Sequence, residues 1–306
     1  MKKLRILPML LALTLCLTAC GAMAVVPKSA DHLDLEEETV LKGAVETGES
    51  RWNYEITTYT VTGEHCAPDD SDRVLIHHSY QMPRMKVSNV QIDKKEQDGP
   101  TAKQAAETFN AFFEDRLRDE VAWFEEMAAV AEEDYGAVGH EKNSFWQQED
   151  FCYSDETALS FWATDDMICI TTLNYSYTGG AHPVVWRTAN SFDLRTGREV
   201  TPADLTGNVD GLQKAVEEEL LRQVEEKRLP PDQEMTEDKV DFFEDYEETV
   251  ADWMQRAAAF DDEGMQVIFS VYDIAPYAAG EQVFTIPYEL LRPYLNSYGK
   301  TLLGLN

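Results

Sequence analysis

The chain has 306 residues, of which 43% are hydrophobic and 27% charged, and its formal net charge is −31. This length allows one large domain or two modest ones, and 13 Phe, 13 Tyr and 6 Trp favour a folded core over a disordered chain. So large a negative charge argues against nucleic acid or an anionic membrane surface as a partner. It suits a basic protein, because opposite net charges accelerate encounter. The simpler alternative is that the acidic residues only keep the protein soluble.

The first residues predict a lipoprotein signal peptide over 1–19. Three basic residues precede an apolar stretch, 6–17, that is too short to span a bilayer comfortably. The stretch ends in Leu17-Thr18-Ala19-Cys20, which resembles the lipobox of bacterial lipoproteins and implies that Cys20 is lipidated. The alternative is an ordinary signal peptide with a chance cysteine. We therefore expect an extracytoplasmic protein, held to the outer face of the bacterial cell membrane by lipid alone. Loss of the three basic residues would leave a net charge of −34.

An acidic tether over 20–45 and a first folded unit over 46–137 follow. Alternating β-branched and aromatic residues predict strands at 52–61, 73–80 and 85–92. Apolar residues then recur every three or four positions from Ala102 to Ala131, which predicts a long helix with one buried stripe.

A second unit, 138–306, begins with predicted strands at 144–153, 157–163 and 167–177. A hairpin over 192–200 turns at Gly197, and helices are predicted at 209–229, 232–260 and 287–295, with strands at 265–272 and 283–286. Along 167–177, Met167 and Cys169 share one face and Ile168 and Ile170 the other. This order predicts an α+β fold of mainly antiparallel sheets with helices packed on one face, in two closely associated units.

The cysteines left after processing allow at most one disulfide within the chain. Cys66, Cys152 and Cys169 remain, and Cys152 and Cys169 flank one sheet segment, which makes them the better pair. Three reduced thiols are the open alternative. No spacing of Cys and His resembles a zinc site, so neither a metal nor a cofactor is expected.

Two loops carry the candidate site residues. The first, 178–182, follows Tyr177 and contains Gly179, Gly180 and His182. A catalytic base at His182 was weighed, but neither a nucleophile motif nor a cysteine protease pattern accompanies it. Hydrogen bonding within the loop, or contact with a ligand, is the preferred role.

The second loop, 273–280, lies between two predicted strands and is flanked by Tyr272. It contains Pro276 and Tyr277, and rigid aromatic side chains of this kind offer contact area at little entropic cost. The alternative is that these tyrosines pack the loop against its own domain.

Three blocks resemble the RsiV-like family (DUF3298), the extracellular domain of lysozyme-responsive anti-sigma factors. They are NYSYTGGAH at 174–182, SFDLRTGREVTPADL at 191–205 and VYDIAPYAAGEQVFTIPYELL at 271–291. The unit before them more loosely resembles the companion domain (DUF4163-like) that precedes it there and in peptidoglycan deacetylases. The resemblance implies an α+β fold and a lysozyme-binding external domain. The lipobox at the end of the apolar stretch departs from the sigma-binding members, so only ligand binding is expected to carry over.

We therefore expect a non-catalytic surface lipoprotein. Its ligand is lysozyme or another basic wall-active protein, bound through Tyr177, Gly179, Gly180, His182, Tyr272, Pro276 and Tyr277. The alternative is a peptidoglycan-binding accessory of a cell-wall enzyme, since aromatic loops also suit sugar stacking. A hydrolase is the third possibility. No contact with nucleic acid is expected.

Overall fold

The computed structural model describes residues 38–47, 50–91, 101–148, 151–230, 234–236 and 238–305. The signal peptide, the lipidation site Cys20 and residues 20–37 of the tether lie outside these residues. The tether prediction is wrong for residues 38–45, which belong to the strand Glu38–Thr47 and pair with the strand that follows. Among the described helices, none is both long and apolar enough to cross a membrane.

Seven of the described strands form one sheet in the order β1 to β7. Each neighbour pair is antiparallel except β3 and β4, which run parallel with Ile76 opposite Tyr153. The strands are β1 Glu38–Thr47, β2 Ser50–Ala67, β3 Asp70–Gln91, β4 Tyr153–Ala163, β5 Met167–Tyr177, β6 Val184–Asp193 and β7 Glu199–Val200.

The predicted strands at 73–80 and 85–92 are one continuous strand, β3. It pairs with β2 along nearly its whole length, and the register passes through Pro83, which lies opposite Thr58. Burial explains the continuity, because Met82 within the expected break is almost fully buried, as are Tyr80 and Met85 on either side of it.

Helix α1, Ala102–Val138, covers one face of this sheet, as the sequence predicts. It begins with a capping box, in which the Thr101 hydroxyl accepts from the backbone of Gln104 and the Gln104 side chain accepts from the backbone of Thr101. Its apolar stripe is buried, and the rings of Phe109 and Phe113 contact Phe192 of β6 at centroid distances of 5.0 and 5.3 Å.

A second layer packs on the opposite face of β5 and β6. It contains a three-stranded antiparallel sheet in the order β10-β9-β8, together with α2. The elements are α2 Val209–Lys227, α3 Tyr246–Ala251, β8 Ala257–Phe260, β9 Gly264–Phe269, β10 Gln282–Pro287, α4 Tyr288–Leu291 and α5 Ser297–Leu302.

Strand β5 separates the two cores. Ile168 and Ile170 belong to the core under α1, whereas Met167 and Cys169 belong to the core under the small sheet. The period of two along this strand is therefore confirmed, and so is the α+β class. The predicted division of the chain between residues 137 and 138 stays a prediction. The large sheet contains strands from both predicted units, because β3 of the first pairs with β4 of the second.

Three predicted elements are wrong. The stretch 144–153 has a 3-10 helix at Phe145–Gln147 instead of a strand. The helix expected over 232–260 is reduced to α3, and its final residues form β8, because they pair with β9. The helix expected over 287–295 ends at Leu291.

Candidate functional site

The glycine loop, residues 178–183, joins β5 to β6 and has the backbone freedom that the sequence indicates. Gly179 and Gly180 have φ angles of +87° and +92°, which lie in the region that favours glycine. The hydroxyl of Tyr177 donates to the carbonyl oxygen of Gly180 at 3.1 Å, so the last residue of β5 holds the loop.

The aromatic loop, residues 270–281, joins β9 to β10. Asp273 fixes its first turn by accepting from the backbone N–H of Ser270 at 2.8 Å. Tyr272 has a φ of +70°, which is uncommon for a residue other than glycine and is consistent with a functional constraint. Pro276 then precedes a 3-10 helix at Tyr277–Ala279, and Gly280 follows it with a φ of +68°.

The two loops meet through three rings, His182, Tyr272 and Tyr277, which we call the aromatic cluster. The rings of His182 and Tyr277 stack at a centroid distance of 3.6 Å and an interplanar angle of 16°. The Tyr272 hydroxyl lies 3.4 Å from His182 Nε2. Tyr277 donates to the carbonyl oxygen of Pro183 at 3.0 Å, and this bond ties the aromatic loop to the glycine loop.

The aromatic cluster presents two of its three side chains to solvent. Tyr272 is 55% exposed and His182 is also exposed, whereas Tyr277 is half-buried. An exposed ring supported by two others is an anchor with few accessible rotamers. Pro276 is half-buried and shapes the aromatic loop from outside the cluster.

An ion pair lies beside the aromatic loop. Arg187 of β6 lies 3.0 Å from Glu281, which directly follows Gly280. Burial raises the pKa of the Glu281 carboxyl, and the charge of Arg187 opposes that rise. This pair is a second link between β6 and the segment that carries the cluster.

A polar patch on the adjoining sheet face was missed from sequence. It consists of His77, Cys152 and Glu156, with Tyr175 of β5 opposite Glu156. Burial raises the pKa of Tyr175, a hydrogen bond with Ser154 opposes that rise, and the charge of Glu156 adds to it. The patch therefore extends from β3 across β4 to β5.

His77 and His78 lie on opposite faces of β3, as alternation predicts, but they are not equivalent. His77 Nδ1 lies 3.4 Å from the sulfur of Cys152 and its Nε2 lies 3.1 Å from Glu156. Hydrogen bonding to Cys152, and then to Glu156, raises the pKa of His77 to about 10. Only the parallel pairing of β3 with β4 brings these residues together, and no local pattern in the sequence signals that pairing.

The disulfide considered between Cys152 and Cys169 is wrong. Both are free thiols. In the antiparallel register Ser154 lies opposite Tyr177 and Trp162 lies opposite Cys169, so the cysteines lie at opposite ends of the strand pair. Cys152 lies about ten residues along the strand direction from Trp162, the residue opposite Cys169, which corresponds to roughly 30 Å. A disulfide needs Cα atoms within about 7 Å.

The comparisons with known proteins bear on the second layer. Residues 203–289 match the family model DUF3298, described as a protein of unknown function. The DUF3298 match covers α2, the small sheet and the aromatic loop, while the glycine loop lies before it. No curated protein matches the chain.

Two crystal structures of DUF3298 proteins are similar to this one. The protein from Bacteroides fragilis has a TM-score of 0.50 and 18% identity, over 81% of this chain and 96% of that one. The protein from Pseudomonas aeruginosa has a TM-score of 0.48 and 16% identity, over 78% of this chain and 94% of that one. At this level of identity the first likeness supports the fold alone.

The contacts of His182 fix the orientation of its imidazole. They are a tyrosine hydroxyl, a tyrosine ring and the carbonyl oxygen of Pro183. Among the described residues, no group of three or more His, Cys, Asp or Glu is arranged to hold a metal ion.

Proposed function

We propose that this chain is a non-catalytic, extracytoplasmic lipoprotein that binds a basic protein, such as lysozyme, at the cell envelope. The observation that carries the proposal is the aromatic cluster, in which residues from two distant loops fix an exposed ring, Tyr272. Binding surfaces of proteins concentrate their energy in such aromatic anchors.

Preorganisation supports the aromatic cluster as the contact surface. The Tyr277 hydroxyl bond to Pro183 and the stack on His182 hold both loops before any ligand arrives. The ligand then does not have to immobilise these side chains, which otherwise costs about 0.5–1.5 kcal/mol for each one. The fixed geometry therefore lowers the entropic cost of binding a ligand at the aromatic cluster.

Electrostatics supports a basic ligand. A net charge of −31 creates a potential that attracts cationic proteins and accelerates their encounter. Salt screens this attraction, with a Debye length of about 8 Å at physiological ionic strength. The proposed binding is therefore expected to weaken as salt is added.

The N-terminal sequence supports the proposed extracytoplasmic location. The apolar stretch 6–17 and the sequence ending in Cys20 resemble those of a lipid-anchored surface protein. The part of the tether before β1, residues 20–37, would give the binding domain reach from the membrane. Mass spectrometry of the membrane-extracted protein tests this part, since a diacylglycerol adduct on Cys20 is expected.

Titration calorimetry tests the binding itself. The full-length chain in mild detergent is titrated with lysozyme at low salt and again at about 0.15 M salt. We expect micromolar or tighter binding at low salt, weakened at the higher salt. Absence of heat at low salt, with lysozyme in micromolar excess, would contradict the proposal.

A glycan ligand is the second candidate, because the exposed Tyr272 ring also suits stacking against a sugar. Sedimentation with purified peptidoglycan separates the two. Retention on peptidoglycan that is indifferent to salt favours the glycan, whereas binding of lysozyme that weakens with salt favours the basic protein.

A further inference from the structure

The patch of His77, Cys152 and Glu156 has the arrangement of a nucleophile, a base and an orienting carboxylate. Parallel pairing places His77 of β3 beside Ser154 of β4. Because side chains alternate along a strand, Cys152 and Glu156 flank Ser154 on the same face. The imidazole of His77 thus reaches the sulfur on one side, at 3.4 Å, and the carboxylate on the other, at 3.1 Å.

His77 is placed to act as a base toward the neighbouring sulfur. Hydrogen bonds, first to Cys152 and next to Glu156, raise the pKa of the His77 imidazole to about 10, so this imidazole readily takes up a proton. A positive imidazolium in contact with a thiol favours the thiolate, which is the reactive form. Glu156 holds the ring in position through its other nitrogen.

The patch is accessible. The side chains of His77 and Glu156 are 35% and 34% exposed, and Cys152 is half-buried. Cys169, in contrast, is 1% exposed, and burial raises the pKa of its thiol. The two free thiols of the described chain therefore differ in both access and charge environment.

We propose that Cys152 is a nucleophilic thiol, activated by His77 and positioned by Glu156, that exchanges with small disulfides. The thiolate attacks one sulfur of the disulfide, a new S–S bond forms at Cys152, and the original S–S bond breaks. The leaving thiolate accepts a proton from the His77 imidazolium. The product is a mixed disulfide on Cys152 and one free thiol, which balances atoms and electrons. This site is independent of the proposed binding function.

The test uses 2-hydroxyethyl disulfide, which is neutral and so is not repelled by the acidic protein. The full-length chain is incubated with it at about pH 6.5, where an ordinary thiol is only about 1% ionised. Peptide mass mapping then measures the adduct at Cys152 and at Cys169. We expect the adduct at Cys152, formed at least tenfold faster than at Cys169.

Two variants identify the cause. His77→Gln is expected to lower the rate at Cys152 about tenfold, since the loss of thiolate is partly offset by higher intrinsic nucleophilicity. Glu156→Gln is expected to lower it by about threefold, because the imidazole remains but is less firmly held. Rates of iodoacetamide alkylation across pH provide a readout that a structural role would not change. The profile of His77→Gln is expected to be steeper than that of the wild type.

His65→Gln is the matched control. His65 of β2 also contacts a carboxylate, Glu132 of α1, at 3.0 Å, but it lies on the sheet face that α1 covers, opposite to the face of His77. This substitution is expected to leave the rate at Cys152 unchanged. Equal rates at Cys152 in wild type and in folded His77→Gln would overturn the proposal, as would a wild-type rate no greater than that of Cys169.

Discussion

The imidazole of His182 stacks on the ring of Tyr277, with centroids 3.6 Å apart and planes 16° from parallel. Tyr277 also donates to the carbonyl oxygen of Pro183, a residue 94 positions away in the chain. These contacts join the glycine loop of the large sheet to the aromatic loop of the second layer. The candidate site therefore depends on both loops.

Removing the Tyr277 hydroxyl is expected to weaken this junction. Tyr277→Phe keeps the stack but removes the hydrogen bond from the Tyr277 hydroxyl to the Pro183 carbonyl, which costs about 1 kcal/mol of unfolding free energy. Urea denaturation measures the change. The control is Tyr272→Phe, whose hydroxyl contact of 3.4 Å is longer and exposed, and a smaller change is expected. Equal losses in the two variants would contradict the assigned role.

Gly197, in the turn of the β6–β7 hairpin, is expected to be sensitive to substitution. Its φ is +68°, and a Cβ atom would lie 1.8 Å from the carbonyl oxygen of Ala105 in α1. Gly197→Ala combines backbone strain with a clash against a helix and is expected to cost about 3 kcal/mol or more.

Gly180→Ala is the matched control for this prediction. Gly180 has a φ of +92°, but a Cβ atom there meets no described atom within 4 Å. Backbone strain alone is expected to cost about 1 kcal/mol. Similar losses of unfolding free energy in Gly197→Ala and Gly180→Ala would show that the hairpin is not in close contact with α1.

His78 is expected to make the protein acid-sensitive. Burial between Tyr80 and Phe124, and then the charge of His77, together lower its pKa to about 4. Between about pH 6.5 and 4 the unfolded chain therefore binds a proton that the folded chain does not, so stability falls as pH falls. At about pH 5 this loss amounts to about 2 kcal/mol.

His78→Phe removes that proton uptake while keeping an aromatic ring at the site. The difference in unfolding free energy between variant and wild type is expected to shift by about 2 kcal/mol in favour of the variant between about pH 7.5 and 5. Other groups titrate equally in both proteins, so the difference isolates His78. Parallel stability curves over this range would contradict the assignment.

The local sequence pattern was sufficient to predict the elements that bury one face. The stripe of α1 and the alternation of β5 predict their cores correctly, because period alone decides which side chains are buried. The 232–260 segment shows the limit of this reasoning. Its apolar spacing correctly identifies Phe242, Tyr246, Val250 and Trp253 as buried, yet only Tyr246–Ala251 is an α-helix, because the spacing does not encode the pairing of β8 with β9.

The site was partly predictable for a related reason. The two loops stand out because glycine and aromatic residues interrupt strands, and the structure brings His182, Tyr272 and Tyr277 together. The patch of His77, Cys152 and Glu156 depends on a parallel pairing between strands separated by α1. Such long-range pairing leaves no local signal, so neither this patch nor the separation of Cys152 from Cys169 could be derived.

The most direct measurement of the central claim compares the affinity for lysozyme of Tyr272→Ala with that of Trp123→Ala. Both residues are large and exposed, at 55% and 43%, but Trp123 lies on α1, across the sheet from the small-sheet layer that carries the aromatic loop. We predict that Tyr272→Ala raises the Kd by about tenfold or more, equivalent to about 1.4 kcal/mol, and that Trp123→Ala leaves it unchanged. Equal affinities in the two variants and the wild type would show that the aromatic cluster is not the binding surface.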